Sequence, residues 1–239
     1  MSLLTLVRHG QASFFADDYD RLTPLGEQQS RMLGEYWLRQ GVSFDAVYAG
    51  PRARQQRSAE LAGEAYRKGG VSWPEAVVLP DLDEFDLHGV FHQIVPELGR
   101  QNPEFAALLA DYRQTTGERN RLRAFQRVFE PLLVYWQLLP GGRAGLESWL
   151  EFRDRVERAL RRFVETGGSG RRIALFTSGG FIGTAVRWAL AAPDRAALEM
   201  AWRLRNASLS EFVFTQNRVS LDSFNTVPHL PDEALWTHR

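Results

Sequence analysis

The sequence contains no cysteine. That excludes a disulfide framework, a thiolate zinc site, an iron–sulfur cluster and a cysteine nucleophile together. Neither sign of charge is in excess, because 29 basic residues balance 29 acidic ones. No global field therefore argues for nucleic acid or an anionic membrane as the partner. No apolar run approaches the roughly 18 residues of a membrane span. The run Leu3-Leu4-Thr5-Leu6-Val7 is too short, and too soon followed by Arg8-His9, for a signal peptide. Lysine is almost missing. Lys68 alone interrupts an otherwise all-arginine basic set, so an arginine draws attention only where its position singles it out. What is present is 44% apolar and 24% charged residues over 239 positions, enough to bury a sizeable core in one domain or one domain with an insertion. A cytoplasmic, soluble α/β protein is expected.

Apolar β-rich runs alternate with helical patterns, which predicts a sheet covered by helices on both faces. Strands are expected over Leu3–Val7, Ala46–Ala49, Ala76–Leu79, Ile173–Thr177, Leu209–Phe214 and Val219–Phe224, the last two paired across Gln216-Asn217. Thr23 reads as an N-cap with Pro24 at the first helical position, and Gly41 ends that helix. Further helices are expected over about Arg52–Tyr66, Ser148–Val164, Phe181–Leu190 and Arg195–Met200, with Gly167-Gly168-Ser169-Gly170 a loop. Trp149, Phe152, Val156, Leu160 and Phe163 form the apolar stripe of the second of these. Residues 90–144 carry helical spacing and no convincing strand. They read as a helical insertion over the strand ends.

Arg8-His9-Gly10 sits at the carboxyl end of the first expected strand, where open α/β sheets place ligands. Histidine there can act as base, nucleophile or metal ligand. The neighbouring arginine offers a planar fork for phosphate or carboxylate, and the glycine lets the backbone turn sharply.

Arg8-His9-Gly10-Gln11 followed by Leu22-Thr23-Pro24-Leu25-Gly26-Glu27 resembles the opening of the histidine phosphatase superfamily, the phosphoglycerate-mutase-like proteins. Pro51-Arg52-Ala53-Arg54 through Ser58-Ala59-Glu60 is similar to that family's second arginine motif, with Arg54 on the arginine position. Leu82-Asp83-Glu84 resembles the segment with the general acid, and Glu147-Ser148 the opening of the next helix. Asn206-Ala207-Ser208 and Asn225 through His229-Leu230 resemble late motifs. The resemblance implies a three-layer α/β/α sandwich with a mostly parallel mixed sheet, and a single domain over 1–239 in which 90–144 is a helical cap insertion. One position departs. In Thr177-Ser178-Gly179-Gly180, Ser178 stands where the family has its second histidine.

The resemblance also implies roles. His9 would attack phosphorus in line and form a phosphohistidine that water hydrolyses. Arg8 and Arg54 would hold the equatorial oxygens without a metal or other cofactor. Glu84 would be general acid and then base, which asks for a raised pKa and some shielding from the two arginines. Ser178 would donate one neutral hydrogen bond to phosphate, and the Gly179 amide at a helix N-terminus would help hold the anion. A histidine restored at 178 is expected to raise kcat if the turn admits the ring.

Other candidates have plainer readings. Asp17, Asp18 and Asp20 read as a solvated loop rather than a metal site, since no regular ligand spacing follows. Glycines 179, 180 and 183 fail the dinucleotide pattern, because Ser178 stands where its first glycine belongs. His88 and His92 read as loop histidines flanking Glu84, with substitution for the missing histidine the alternative; His229 reads as structural. Arginines 100, 113, 119, 121, 123 and 127 read as a solvated helix face or a second acidic-group site. The leading expectation is a metal-independent phosphatase acting on a small phosphomonoester. The alternative is a weakened phosphate-binding member, with true phosphoglycerate mutase disfavoured. Oligomeric state and substrate identity are open.

Overall fold

The apolar opening run becomes β1 (Ser2–Arg8), an interior strand of a six-stranded sheet. A strand buried on both faces should lack polar–apolar alternation, and Leu4, Leu6 and Val7 are all buried. The computed structural model describes residues 1–13, 20–166, 169–216 and 218–238. Asp17, Asp18, Gly167, Gly168 and Asn217 lie outside the described residues.

The remaining strands are β2 (Ala46–Ala49), β3 (Ala76–Val78), β4 (Arg172–Thr177), β5 (Leu209–Thr215) and β6 (Arg218–Thr226). Their order is β3-β2-β4-β1-β5-β6. The first four in that order run parallel, whereas β5 and β6 are antiparallel to their neighbours. In register, Arg8 of β1 lies beside Thr177 of β4, so His9 and Ser178 leave adjacent strand ends together.

The chain divides into two compact units, residues 1–84 with 155–239, and residues 85–154. In the first, helices α1 (Pro24–Arg39) and α2 (Ala53–Lys68) cover one sheet face. Leu33 and Trp37 of α1 and Ala59, Ala62 and Tyr66 of α2 are buried with Val7, Val47, Ala49, Ala174 and Phe176. Trp37 meets Phe44 and Phe176 edge-on, at centroid distances of 4.8 and 6.3 Å. Each such pair contributes about 0.5–1.5 kcal/mol beyond the area it buries. Alternation along β2 sends Tyr48 to the other face, where it meets Phe163 of α6 (Trp149–Thr166) at 5.0 Å. Helices α7 (Gly179–Ala189) and α8 (Asp194–Arg203) pack on each other. This is the mostly parallel, three-layer α/β/α arrangement.

The second unit is helical: α3 (Leu87–Gln101), α4 (Pro103–Gln114) and α5 (Glu118–Leu138), with prolines 96 and 131 inside α3 and α5. Its core joins Phe85, Trp136, Trp149 and Phe152, with Phe85 and Trp136 rings 5.0 Å apart. Arg143 ties the unit through Glu97 at 2.5 Å. Arginines 100, 113, 121, 123 and 127 are exposed, Arg127 paired with Asp111 and Arg121 over the Tyr112 ring.

Several element ends shift by one to three residues, α8 reaching Arg203 and β6 Thr226, and two differences concern candidate site residues. The helix after β4 starts at Gly179, two residues before Phe181, since the Ile182 amide already bonds the Ser178 carbonyl at 3.1 Å. His88 and His92 lie on α3, one turn apart with stacked rings, rather than in a loop. The Asp86 carboxylate explains this by capping the Gly89 amide and starting the helix before His88 is reached.

Candidate active site

The turn after β1 is built by close backbone approach. A Cβ on Gly10 would lie 2.3 Å from the Gly26 carbonyl oxygen, and one on Gly26 would lie 2.0 Å from that of Gln11. Both positions therefore require glycine, and the two opening motifs interlock. The Thr23 hydroxyl accepts from the Gly26 amide at 3.0 Å and starts α1. From α2, the Ser58 hydroxyl accepts from the Gly10 amide at 3.0 Å and donates to the Arg54 carbonyl at 2.8 Å. The late motif closes the same turn, because the Asn206 side-chain amide and the Ala207 amide both donate to the His9 carbonyl.

His9 is buried. Its Nδ1 stands 2.7 Å from the Gly10 carbonyl, which can only accept, so Nδ1 carries the proton. Arg54 Nε donates to His9 Nε2 at 3.2 Å, so Nε2 holds the lone pair. Burial, and then the positive charges of Arg54 and Arg8, hold the imidazole pKa well below its ordinary value. The ring is neutral at physiological pH, with its lone pair facing a guanidinium.

Arg54 is almost wholly buried, with its Nη1 on Asp20 Oδ1 at 2.7 Å. The Asp20 carboxylate also accepts from the Ala53 amide at 2.8 Å, at the N-terminus of α2. Asp20 thus holds both the guanidinium and the start of the helix that carries it. Arg8 Nη1 donates to the Leu204 carbonyl and, at 2.8 Å, to that of His238. A Cβ on Gly179 would lie 3.7 Å from Arg8 Nε, so this guanidinium lies against the first turn of α7.

At the β4 end, Ser178 is buried and accepts from Gln55 Nε2 at 2.8 Å. Glu84 Oε2 accepts from the Gly180 amide at 2.8 Å. The loop presenting Glu84 is held at several points. Asp83 Oδ1 accepts from Arg52 Nε at 2.6 Å and from the Glu84 amide at 2.7 Å. Arg155 Nη1 donates to the Asp81 and Asp83 carbonyls at 3.0 Å each. The Thr177 hydroxyl donates to the Leu82 carbonyl at 2.7 Å. Desolvation works against the charge on Arg52, but the Asp83 hydrogen bond and the charges of Asp83, Asp20 and Glu84 outweigh it and raise its pKa.

The structure therefore brings His9 to Arg54, Arg8 to Gly179, and Glu84 to Gly180, the second residue after Ser178, all at the carboxyl ends of β1 and β4. Sequence reasoning missed Asp20, Gln55, Arg52 and Arg155 as members of this constellation. Asp20 stood in a plain acidic run, Arg52 and Gln55 lay inside the second arginine motif with only Arg54 singled out, and Arg155 carried no motif. His229 is buried elsewhere, 6.5 Å from the Tyr36 ring. Among the described residues, no three His, Asp or Glu side chains gather as a metal site would require, and no helix is long and apolar enough to cross a membrane.

Wheat (Triticum aestivum) 2-carboxy-D-arabinitol-1-phosphatase is 30% identical over 124 residues, covering 48% of this chain but only 22% of the wheat protein. Among solved structures, phosphoserine phosphatase of Entamoeba histolytica in complex with 3-phosphoglyceric acid superposes with a TM-score of 0.63 at 19% identity, covering 96% of this chain and all of that one. Mycobacterial glucosyl-3-phosphoglycerate phosphatase in complex with inorganic phosphate gives 0.62 at 19% identity, covering 95% and 99%. The alpha-ribazole phosphatase of Shigella flexneri gives 0.61 at 17%, covering 94% and 96%. At such identities these likenesses speak to the fold alone. The family model for the histidine phosphatase superfamily (branch 1) matches residues 4–133 and 124–227, which take in both the Arg8-His9-Gly10 strand end and the Ser178 turn; the chain belongs to that superfamily.

Proposed function

We propose that the protein is a metal-independent phosphatase that hydrolyses a small phosphomonoester through a phosphohistidine at His9. The observation that carries this reading is the ring itself: buried, held neutral, its proton fixed on Nδ1 and its Nε2 lone pair beside Arg54. His9 Nε2 attacks phosphorus as the bond to the leaving oxygen breaks, and Glu84 gives that oxygen its proton. Water then attacks the phosphohistidine, Glu84 takes the water proton, the P–N bond breaks and inorganic phosphate leaves. Arg8, Arg54, the Ser178 hydroxyl and the Gly179 amide hold the phosphoryl oxygens as charge moves across them. The relatives named above are phosphatases of small phosphorylated compounds, which supports the same substrate class here.

Two guanidiniums supply the charge that a metal would otherwise bring. A panel of phosphomonoesters assayed after exhaustive EDTA treatment is therefore expected to show full His9-dependent turnover. Activity lost to EDTA and restored by magnesium or manganese contradicts the mechanism.

A second reading, a phosphate-binding member with little turnover, draws on one observation: Ser178, which the resemblance sets at the place of the family's second histidine, is buried and neutral. The same site changes the expectation for restoring that histidine. The Gln55 amide already fills the space against Ser178 Oγ, and Gln55 has no exposed surface into which to retreat. Ser178→His alone is expected to lower kcat through overpacking. Pairing it with Gln55→Ala, which opens that space, should recover part of the loss. A single Ser178→His variant faster than wild type would show that the turn admits the ring.

A further inference from the structure

We infer that Gln55 is a positioning residue that turns the Ser178 proton toward the phosphoryl group, so that Gln55 and Ser178 together stand in for one cationic side chain. The inference rests on the phosphatase reading above and adds a residue to it.

The amide orientation of a glutamine is fixed only by its partners. Here Gln55 Oε1 accepts from the Arg52 backbone amide at 3.1 Å, and a backbone N–H can only donate. Oε1 must therefore face Arg52, which leaves Nε2 to face Ser178 Oγ at 2.8 Å. An amide NH₂ can only donate, so the serine oxygen is the acceptor in that bond. A hydroxyl has a single proton, and it must point away from Gln55.

The usual alternative use of that hydroxyl is absent. Serine at an N-cap ordinarily turns its oxygen onto the free amides of the first helical turn. Ser178 occupies the N-cap of α7 without making that bond, and the Gly180 amide is taken by Glu84 instead. Among the described residues, Gln55 is the one hydrogen-bond partner of Ser178 Oγ. Both side chains are buried, at 0% and 1% exposure. The hydroxyl proton is thereby left for a ligand at the His9 strand end. Donation from Gln55 also polarises the hydroxyl, which strengthens its own outgoing bond.

The test uses p-nitrophenyl phosphate and the full chain. Gln55→Met keeps the volume and removes the donor. Gln55→Glu keeps both the volume and the acceptor for the Arg52 amide, but its carboxylate would draw the Ser178 proton toward itself. Gln55→Glu is thus informative even where Gln55→Met destabilises the fold. A hydrogen bond to a charged group is worth roughly tenfold or more in rate, so each variant is expected to lower kcat/KM by about that factor. In a Ser178→Ala background the further loss should be under about twofold, because coupled residues are not additive. The ratio of Gln55→Glu to wild-type activity should rise as pH falls, since a protonated carboxyl can again donate to Oγ. Equal losses in the serine and alanine backgrounds, or a Gln55→Glu enzyme as active as wild type at all pH values, overturn the role of Gln55 and leave the phosphatase reading intact. A wild type no more active than His9→Ala removes the phosphatase reading, and this inference with it.

Discussion

His9→Ala is expected to reduce turnover of a phosphomonoester by about 10⁴-fold or more, since on the proposed mechanism it deletes the nucleophile. Arg54→Ala should cost less, about 10²–10³-fold in kcat, the usual loss on removing one preorganised donor from a developing anion. Arg54 also acts on His9 through its charge. Burial is the larger reason that the imidazole stays neutral, and the Arg54 charge the next. Without Arg54 the His9 pKa rises, the protonated and inert fraction grows, and the acid limb of the kcat/KM profile moves to higher pH. Burial remains, so the shift is partial. Asp20→Asn keeps the size and loses the charge that pairs with Arg54 at 2.7 Å. It should lower kcat by less than Arg54→Ala does, and because taking away a negative charge does not favour the imidazolium, the acid limb should not move to higher pH. Measuring kcat and kcat/KM against pH for these variants separates loss of the nucleophile, which lowers the whole profile, from loss of the cation, which also displaces it. A His9→Ala protein that retains wild-type turnover would place the chemistry elsewhere.

What the sequence made legible is local. Thr23 and Pro24 announce α1 because capping depends on a few adjacent residues, and the structure puts the Thr23 hydroxyl on the Gly26 amide. The strand end at Arg8-His9-Gly10 is visible because an apolar run stops at a charged and flexible tripeptide. The start of α7 is misjudged because two glycines are poor helix formers; burial of the whole first turn overrides that weakness. His88 and His92 look like loop residues because their helix is set off by Asp86, whose capping role depends on geometry rather than pattern. Partners far apart in sequence are illegible. Asp20 meets Arg54 across a separation of 34 residues, and Gln55 meets Ser178 across 123. Neither pair leaves a periodic trace. Gln55 sits unremarked in the run Arg54-Gln55-Gln56-Arg57 until the fold puts a serine against it. Arg8 is a similar case, since its charge was readable whereas its anchoring on the Leu204 and His238 carbonyls was not.

His229→Leu is expected to stabilise the protein, and to do so far more at pH 5 than at pH 8. The imidazole is only 3% exposed, lies 6.5 Å from the Tyr36 ring, and among the described residues has no hydrogen-bond partner for either ring nitrogen. Burial pushes its pKa from 6.5 down to about 3. In the unfolded chain the ring takes up a proton as pH falls through 6.5, whereas in the folded chain it does not until pH nears 3. Protons therefore favour the unfolded state across that window, and stability is lost as pH falls. The full loss is about 5 kcal/mol once pH is below both values, and about 2 kcal/mol at pH 5. Leucine cannot be protonated, so the variant escapes that loss, and it also removes a buried ring whose nitrogens are unsatisfied. For a chain of this size, 2 kcal/mol corresponds to a Tm higher by about 4–8 °C at pH 5. At pH 8 both states carry a neutral ring, and only the smaller gain from removing the unpaired nitrogens should remain. Burial lowers the His9 pKa as well, so the variant keeps some acid sensitivity from the active site. Thermal or urea unfolding at the two pH values decides the matter. An equal change in stability at pH 5 and pH 8 would mean that His229 finds a partner or becomes charged in the folded protein.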